Sequence, residues 1–144
     1  MSPATAVATL AAELLQRTAR GFAVAFTPKE DRVGRMRRIT VAHLRLWRVA
    51  GPIADDIVLA VSELVTNAVQ HGDGDVALEV LYTDDEVRVE VTDGSPEPAQ
   101  LSSAQPGDVS GRGLFIVAVL SLEWGVSDDG RKTWARFRVP AGRP

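Results

Sequence analysis

The chain places an acid and an amide one helical turn apart. Glu63 and Asn67 stand at i and i+4, so on a helix they project from one face. Thr66 and Gln70 flank them, and His71 and Gly72 close the segment. A carboxylate and an amide oxygen on a rigid helix suit a hard cation, and magnesium takes few protein oxygens beside water and phosphate. The same carboxylate suits a general base toward a hydroxyl. The plain alternative is a solvated polar face. Further on, Asp93 follows an alternating apolar run and precedes Gly94, a position from which a carboxylate can accept from an exocyclic amine; Asp-Gly is also an ordinary turn pair. A third element, Gly111-Arg112-Gly113-Leu114, opens a helix after a long loop. Free N–H groups at a helix start suit phosphate, and Arg112 can add a charge-assisted contact.

Two glycine patterns imitate nucleotide motifs and are rejected on context. Gly72-Asp73-Gly74-Asp75-Val76-Ala77 follows a helix and enters a strand, the reverse of the dinucleotide fingerprint. Gly125 to Thr133 carries Arg131 inserted before Lys132, and a strand follows, where a phosphate loop requires a helix.

Composition narrows the chemistry. With 144 residues the chain is one domain in size. It has no cysteine, which excludes disulfides, zinc–thiolate sites, iron–sulfur clusters and thiol catalysis. Two histidines cannot build a His-rich metal site. A net charge of −3 gives no overall pull toward nucleic acid or anionic membrane. The amino-terminal stretch lacks the basic start of a signal peptide and no apolar run is long enough to span a membrane, so the expected location is cytoplasmic. Of the 16 basic residues 14 are arginine. Arg32, Arg35, Arg38, Arg45 and Arg48 gather on one helix, as a solvated basic face or as a docking site for an acidic protein.

The elements that position these residues follow from periodicity. A helix over 2–18 is capped by Ser2, and Phe22 to Phe26 is a short strand. A long helix covers roughly 29 to 49, stopped by Gly51-Pro52. A second covers roughly 53 to 70, with Ile57, Val61, Leu64 and Ala68 as its core stripe. From Val76 the period is two: Val76, Leu78, Val80 and Tyr82, then Val87, Val89 and Val91, read as a hairpin about Asp84-Asp85. Residues 94 to 110 are a loop, 111 to 121 a third helix, and 122–127 with 133–139 a closing hairpin on which Trp124 and Trp134 face each other. His43 reads as structural and His71 as a helix-end cation. Helices and strands in separate blocks predict an α+β two-layer sandwich, a mostly antiparallel sheet with helices on one face.

Taken in order, Glu63-x-x-x-Asn67-Ala68-x-x-His71-Gly72, Asp93-x-Ser95 and Gly111-Arg112-Gly113-Leu114 resemble the histidine kinase-like (GHKL) ATP-binding superfamily with its Bergerat-type fold. The short single domain is most similar to the anti-sigma-factor serine-protein kinases of Gram-positive bacteria. The resemblance covers roughly residues 20 to 140, leaving 1–20 as an N-terminal helical extension and 21–144 as the ATP-binding domain. It implies ATP and Mg2+ as cofactors, Glu63 as general base, Asn67 as magnesium ligand and Asp93 at the adenine amine. It implies Gly111, Arg112, Gly113 and Leu114 at the phosphates, 95–110 as a lid, and Thr133 near the adenine. It further implies a homodimer that binds a sigma factor and phosphorylates an antagonist protein; no direct contact to nucleic acid or membrane is expected at this net charge. The usual glycine box is altered here: Asp93-Gly94-Ser95-Pro96-Glu97 has its glycine one place early and no second one, and no Lys or Arg lies between Gly94 and Gly111. A nucleotide-gated binding switch with little turnover is the alternative.

Overall fold

The computed structural model describes residues 2–16, 20–94 and 109–140, with the side chains of 13–16 and 109–112 left aside. The expected lid over 95–110 therefore lies almost wholly outside the described residues. Among the described residues four helices and five strands run in the order α1 (Pro3–Gln16), β1 (Arg20–Phe26), α2 (Asp31–Leu46), α3 (Pro52–His71), β2 (Val76–Thr83), β3 (Glu86–Thr92), α4 (Val109–Leu120), β4 (Glu123–Val126) and β5 (Lys132–Arg138). The strands form one antiparallel sheet in the order β1-β2-β3-β5-β4. The α+β architecture with an antiparallel sheet expected from the sequence is the one found; α2, α3 and α4 share one face as expected, while α1 lies on the other.

One face of the sheet carries the core. Val76, Leu78 and Val80 of β2, Val87, Val89 and Val91 of β3, and Ala135 and Phe137 of β5 meet the α3 stripe of Ile57, Val61, Leu64 and Ala68, with Met36 and Leu44 of α2 and Leu114 and Val117 of α4. Strand alternation selects these residues, since a period of two puts every second side chain on one face. Helix α3 is the central helix, packed on both α2 and α4. Ile57, Ala60, Val61, Leu64, Val65 and Ala68 are buried along one side of it, so its orientation, and that of its polar stripe, is fixed by the core.

The opposite face is charged and partly covered by α1. Ser2 caps α1 as expected, its Oγ accepting from the Thr5 N–H at 3.1 Å. Ala6 and Leu10 are buried, yet they stand outside the core cluster. They line, with Glu79, Leu81, Arg88, Glu90 and Lys132, a cavity of about 340 Å³ on the outer side of the sheet. The extension is thus a cover for β1 and β2. Beyond it, Glu90 accepts from Arg88 Nε at 2.7 Å and pairs with Lys132 Nζ at 3.1 Å. Burial by itself would raise its pKa, but these two cations together outweigh burial and hold it below the usual range. Arg136 joins Glu86 of β3 at 2.5 Å and also pairs with Glu123 of β4, tying three strands together.

Two boundaries and one register differ from the sequence reading. Helix α2 stops at Leu46, because Arg48 turns to φ 60° and the Val49 N–H donates to Leu44 O at 2.8 Å, a closure that ends a helix. Helix α4 starts at Val109, two residues before Gly111. Trp124 and Trp134 do not face each other. The register sets Trp124 opposite Ala135 and Trp134 opposite Gly125, so the two rings lie on opposite faces. Trp134 lies over Gly125, where a Cβ would come within 2.7 Å of its ring, and Arg88 stacks on it at 4.4 Å. Gly125→Ala is expected to push the ring aside at a cost of about 1 kcal/mol, readable as a lower denaturation midpoint.

Candidate functional site

Helix α3 ends against the carboxyl end of β3, and this contact builds the site. The Gly72 N–H donates to Ala68 O at 2.8 Å. A Cβ on Gly72 would come within 2.3 Å of Ala68 O and 3.0 Å of Asp93 Cβ and Cγ, so only glycine lets Asp93 lie this close to the helix end. The next residues stitch the same two segments together. The Gly94 N–H donates to Asp73 O at 2.8 Å, and the Asp93 N–H donates to Arg131 O at 2.9 Å. Asp93, which the sequence could read as a turn residue, is a half-buried carboxylate clamped between the end of α3 and the start of β5.

Glu63 and Asn67 lie on the α3 face that the core does not use, and both are half-buried. Glu63 lies against α4: a Cβ on Gly113 would stand 2.8 Å from Glu63 Oε2. Burial pushes the Glu63 carboxyl above its ordinary pKa. Among the described residues neither Glu63 nor Asn67 has a side-chain hydrogen-bond partner.

Chain direction places the start of α4 on the same side. Helix α3 runs toward Asp93. Helix α4 ends at Leu120 beside β4, whose first residue Glu123 pairs with Arg136, near the opposite end of the sheet from Thr92 and Lys132. The two helices are therefore antiparallel. With Gly113 against Glu63, the residues before Gly113 run toward the Asn67 turn. Because α4 begins at Val109, the N–H groups without an intrahelical partner at its start include those of Val109, Ser110 and Gly111. Gly111 and Arg112 lie in that first turn, and the Arg112 side chain is outside the described residues.

The remaining expected residues fall as follows. Gly113 lies past the helix opening and supplies room for Glu63, a use the sequence pattern did not reveal. Leu114 is buried in the core, so its side chain is structural. Thr133 is buried on β5, opposite Val91 and Val126. Since Val91 belongs to the core, Thr133 faces the helices, two positions along β3 from Asp93. His71 is exposed at the end of α3. His43 stacks on Phe22 at 4.2 Å between centroids, with Nδ1 2.9 Å from Ile39 O, the structural role expected of it. The segment Gly125 to Thr133 is a strand–turn–strand hairpin, closed by Ser127 Oγ donating to Asp129 Oδ1 at 2.6 Å, and it continues as strand β5 rather than as a helix. Sequence reasoning missed Gly72 and Gly94 as the residues that bring Asp93 to α3. Their pairing with acids in Gly72-Asp73 and Asp93-Gly94 was the signal available.

The arrangement suits a polyanion with a cation. A half-buried carboxylate and an amide oxygen lie one turn apart, the free N–H groups of a helix start lie beside them, and a second carboxylate closes the far end. No cluster of three or more metal-binding side chains occurs among the described residues. Such a donor set fits magnesium, which keeps water and phosphate oxygens as its other ligands. No described helix is long and apolar enough to cross a membrane. A family model described as the histidine kinase-like ATPase domain matches residues 26–138. Among curated proteins none matches the chain.

Proposed function

Because the chain belongs to the histidine kinase-like ATPase family, we propose that it is an ATP-binding regulator that transfers the γ-phosphoryl group of ATP to a serine of a partner protein. The observation that carries this reading is Glu63: a half-buried carboxylate with no hydrogen-bond partner among the described residues, one turn from Asn67 and pressed against Gly113. Phosphoryl transfer asks a protein mainly for positioning and charge neutralisation. Glu63 accepts the proton of the attacking hydroxyl at a carboxylate oxygen. Asn67 offers its amide oxygen to magnesium. Asp93 accepts from the adenine amine, with Thr133 nearby on β5. The first turn of α4, with Gly111 and Arg112, faces the phosphates. When bound, magnesium draws charge from the phosphate oxygens.

The finer identity rests on resemblance. A single domain of this length with these motifs is similar to an anti-sigma-factor serine kinase. In that reading the partners are a sigma factor and its antagonist, the working form is a homodimer, and the location is cytoplasmic. A second reading, a nucleotide-gated binding switch without turnover, is favoured by the missing second glycine after Asp93 and by the absence of Lys and Arg between Gly94 and Gly111.

Capture from the native host with and without ATP, followed by mass spectrometry for phosphoserine, separates the two. Phosphoserine on a captured protein supports the kinase. Nucleotide-dependent capture without phosphoserine supports the switch. Asn67→Ala is expected to weaken magnesium-dependent ATP binding about tenfold, read by calorimetry with and without the metal. Unchanged affinity removes Asn67 from the site.

A further inference from the structure

We propose that the outward face of α2 is a docking surface for an acidic helical segment of a partner protein. Arg35, Arg37, Arg38, Arg45 and Arg48 are all exposed there. Among the described residues none of their side chains has an ion pair or hydrogen bond. In a chain of net charge −3, that concentrates uncompensated positive charge on one helix. From Arg35 to Arg45 the face runs about 15 Å.

Two local features go against the preferences of an isolated helix, and both shape this face. Gly34 lies inside α2, where glycine weakens a helix. The Arg38 Nη1 and Arg37 Nη2 atoms lie 3.4 and 3.8 Å from where its Cβ would be, so the two guanidinium groups fold over a flat spot. Arg48 takes φ 60° at the close of the helix, a position that favours glycine, and so projects a further cation at the end of the strip. Gly34, Arg38, Ala42 and Leu46 follow one another at intervals of four, which makes them one ridge of the helix. Leu46 is 74% exposed.

A ridge on which Gly34, Ala42 and the exposed Leu46 alternate with Arg38, with further arginines beside it, matches an amphipathic helix that carries carboxylates beside an apolar strip. Arginine pairs with carboxylates in bidentate geometry. Phosphate of a nucleic acid is the poorer match. Glu30 and Asp31 lie at the start of α2 and Asp55 and Asp56 in the first turns of α3, and an extended polyanion would have to pass them. This inference gives a surface to the partner-binding part of the proposed function. Helix α3 separates α2 from α4, and the test below is read without nucleotide, so its result is independent of the ATP site.

The probe is a fluorescent amphipathic peptide of about five helical turns, with Glu on one face and Ala and Leu on the other. Its control replaces each Glu by Gln. By anisotropy at physiological salt, the Glu peptide is expected to bind the whole chain at least about tenfold more tightly than the Gln peptide. The double variant Arg38→Glu, Arg45→Glu is expected to abolish that preference. The milder Arg38→Gln, Arg45→Gln is expected to reduce it, with the thermal midpoint unchanged in both. Equal binding of the two peptides, or a preference that survives both variants, overturns the proposal. So does tighter binding of a DNA duplex or of phosphatidylglycerol vesicles through the same arginines.

Discussion

Glu63→Gln is expected to lower phosphoryl transfer about 10³-fold, the scale of a general base in the transition state, while ATP affinity stays within about twofold. Gln keeps the volume and loses the ability to accept the hydroxyl proton as an anion. Burial already raises the Glu63 pKa, so in the wild type the rate should fall as pH drops through that raised value, when the carboxylate becomes protonated. Stability moves the other way. A carboxyl whose folded pKa is raised favours the fold in its protonated form, and that increment is lost as pH rises through the folded value. At neutral pH the Gln variant should therefore be as stable as the wild type or more so, by less than about 1 kcal/mol because water still reaches the group. A variant that binds ATP, melts no lower and does not transfer phosphate would identify the base. Intact transfer would place the base elsewhere.

Gly72→Ala is expected to damage fold and site together. The new methyl would lie 2.3 Å from Ala68 O and 3.0 Å from Asp93 Cβ and Cγ. Backbone oxygen cannot swing aside as a long side chain can, so either the helix end or Asp93 must move. We expect a loss of about 2–3 kcal/mol in denaturant unfolding and at least about tenfold in ATP affinity, because Asp93 leaves the place where an adenine amine would meet it. Gly113→Ala is the contrasting case. Its methyl would meet the end of the Glu63 side chain at 2.8 Å, which can turn away, so its cost to stability is smaller.

The elements were legible where the core dictates the pattern. Ile57, Val61, Leu64 and Ala68 declare α3, and the alternation from Val76 to Val91 declares β2 and β3, because burial leaves those positions little choice. Fixing α3 also fixes which way Glu63 and Asn67 point. What periodicity does not carry is contact between distant segments. That Gly72 meets Asp93, and Gly113 meets Glu63, depends on how α3 packs on β3 and α4. The spacing of Leu10 in α1 says that it is buried, yet it does not say on which face of the sheet. Trp124 and Trp134 show how sharply register matters: one residue of slip in the hairpin sends them to opposite faces. The end of α2 was hidden by Arg48, which takes a left-handed conformation that a glycine would have announced.

The most direct test is a crystal structure with a non-hydrolysable ATP analogue and magnesium. The account predicts the metal on the Asn67 amide oxygen, the phosphates at the first turn of α4, the adenine amine on Asp93, and a carboxylate oxygen of Glu63 turned toward the γ-phosphate. A nucleotide bound elsewhere, or one bound here with Glu63 and Asn67 facing away from the phosphates, would contradict it.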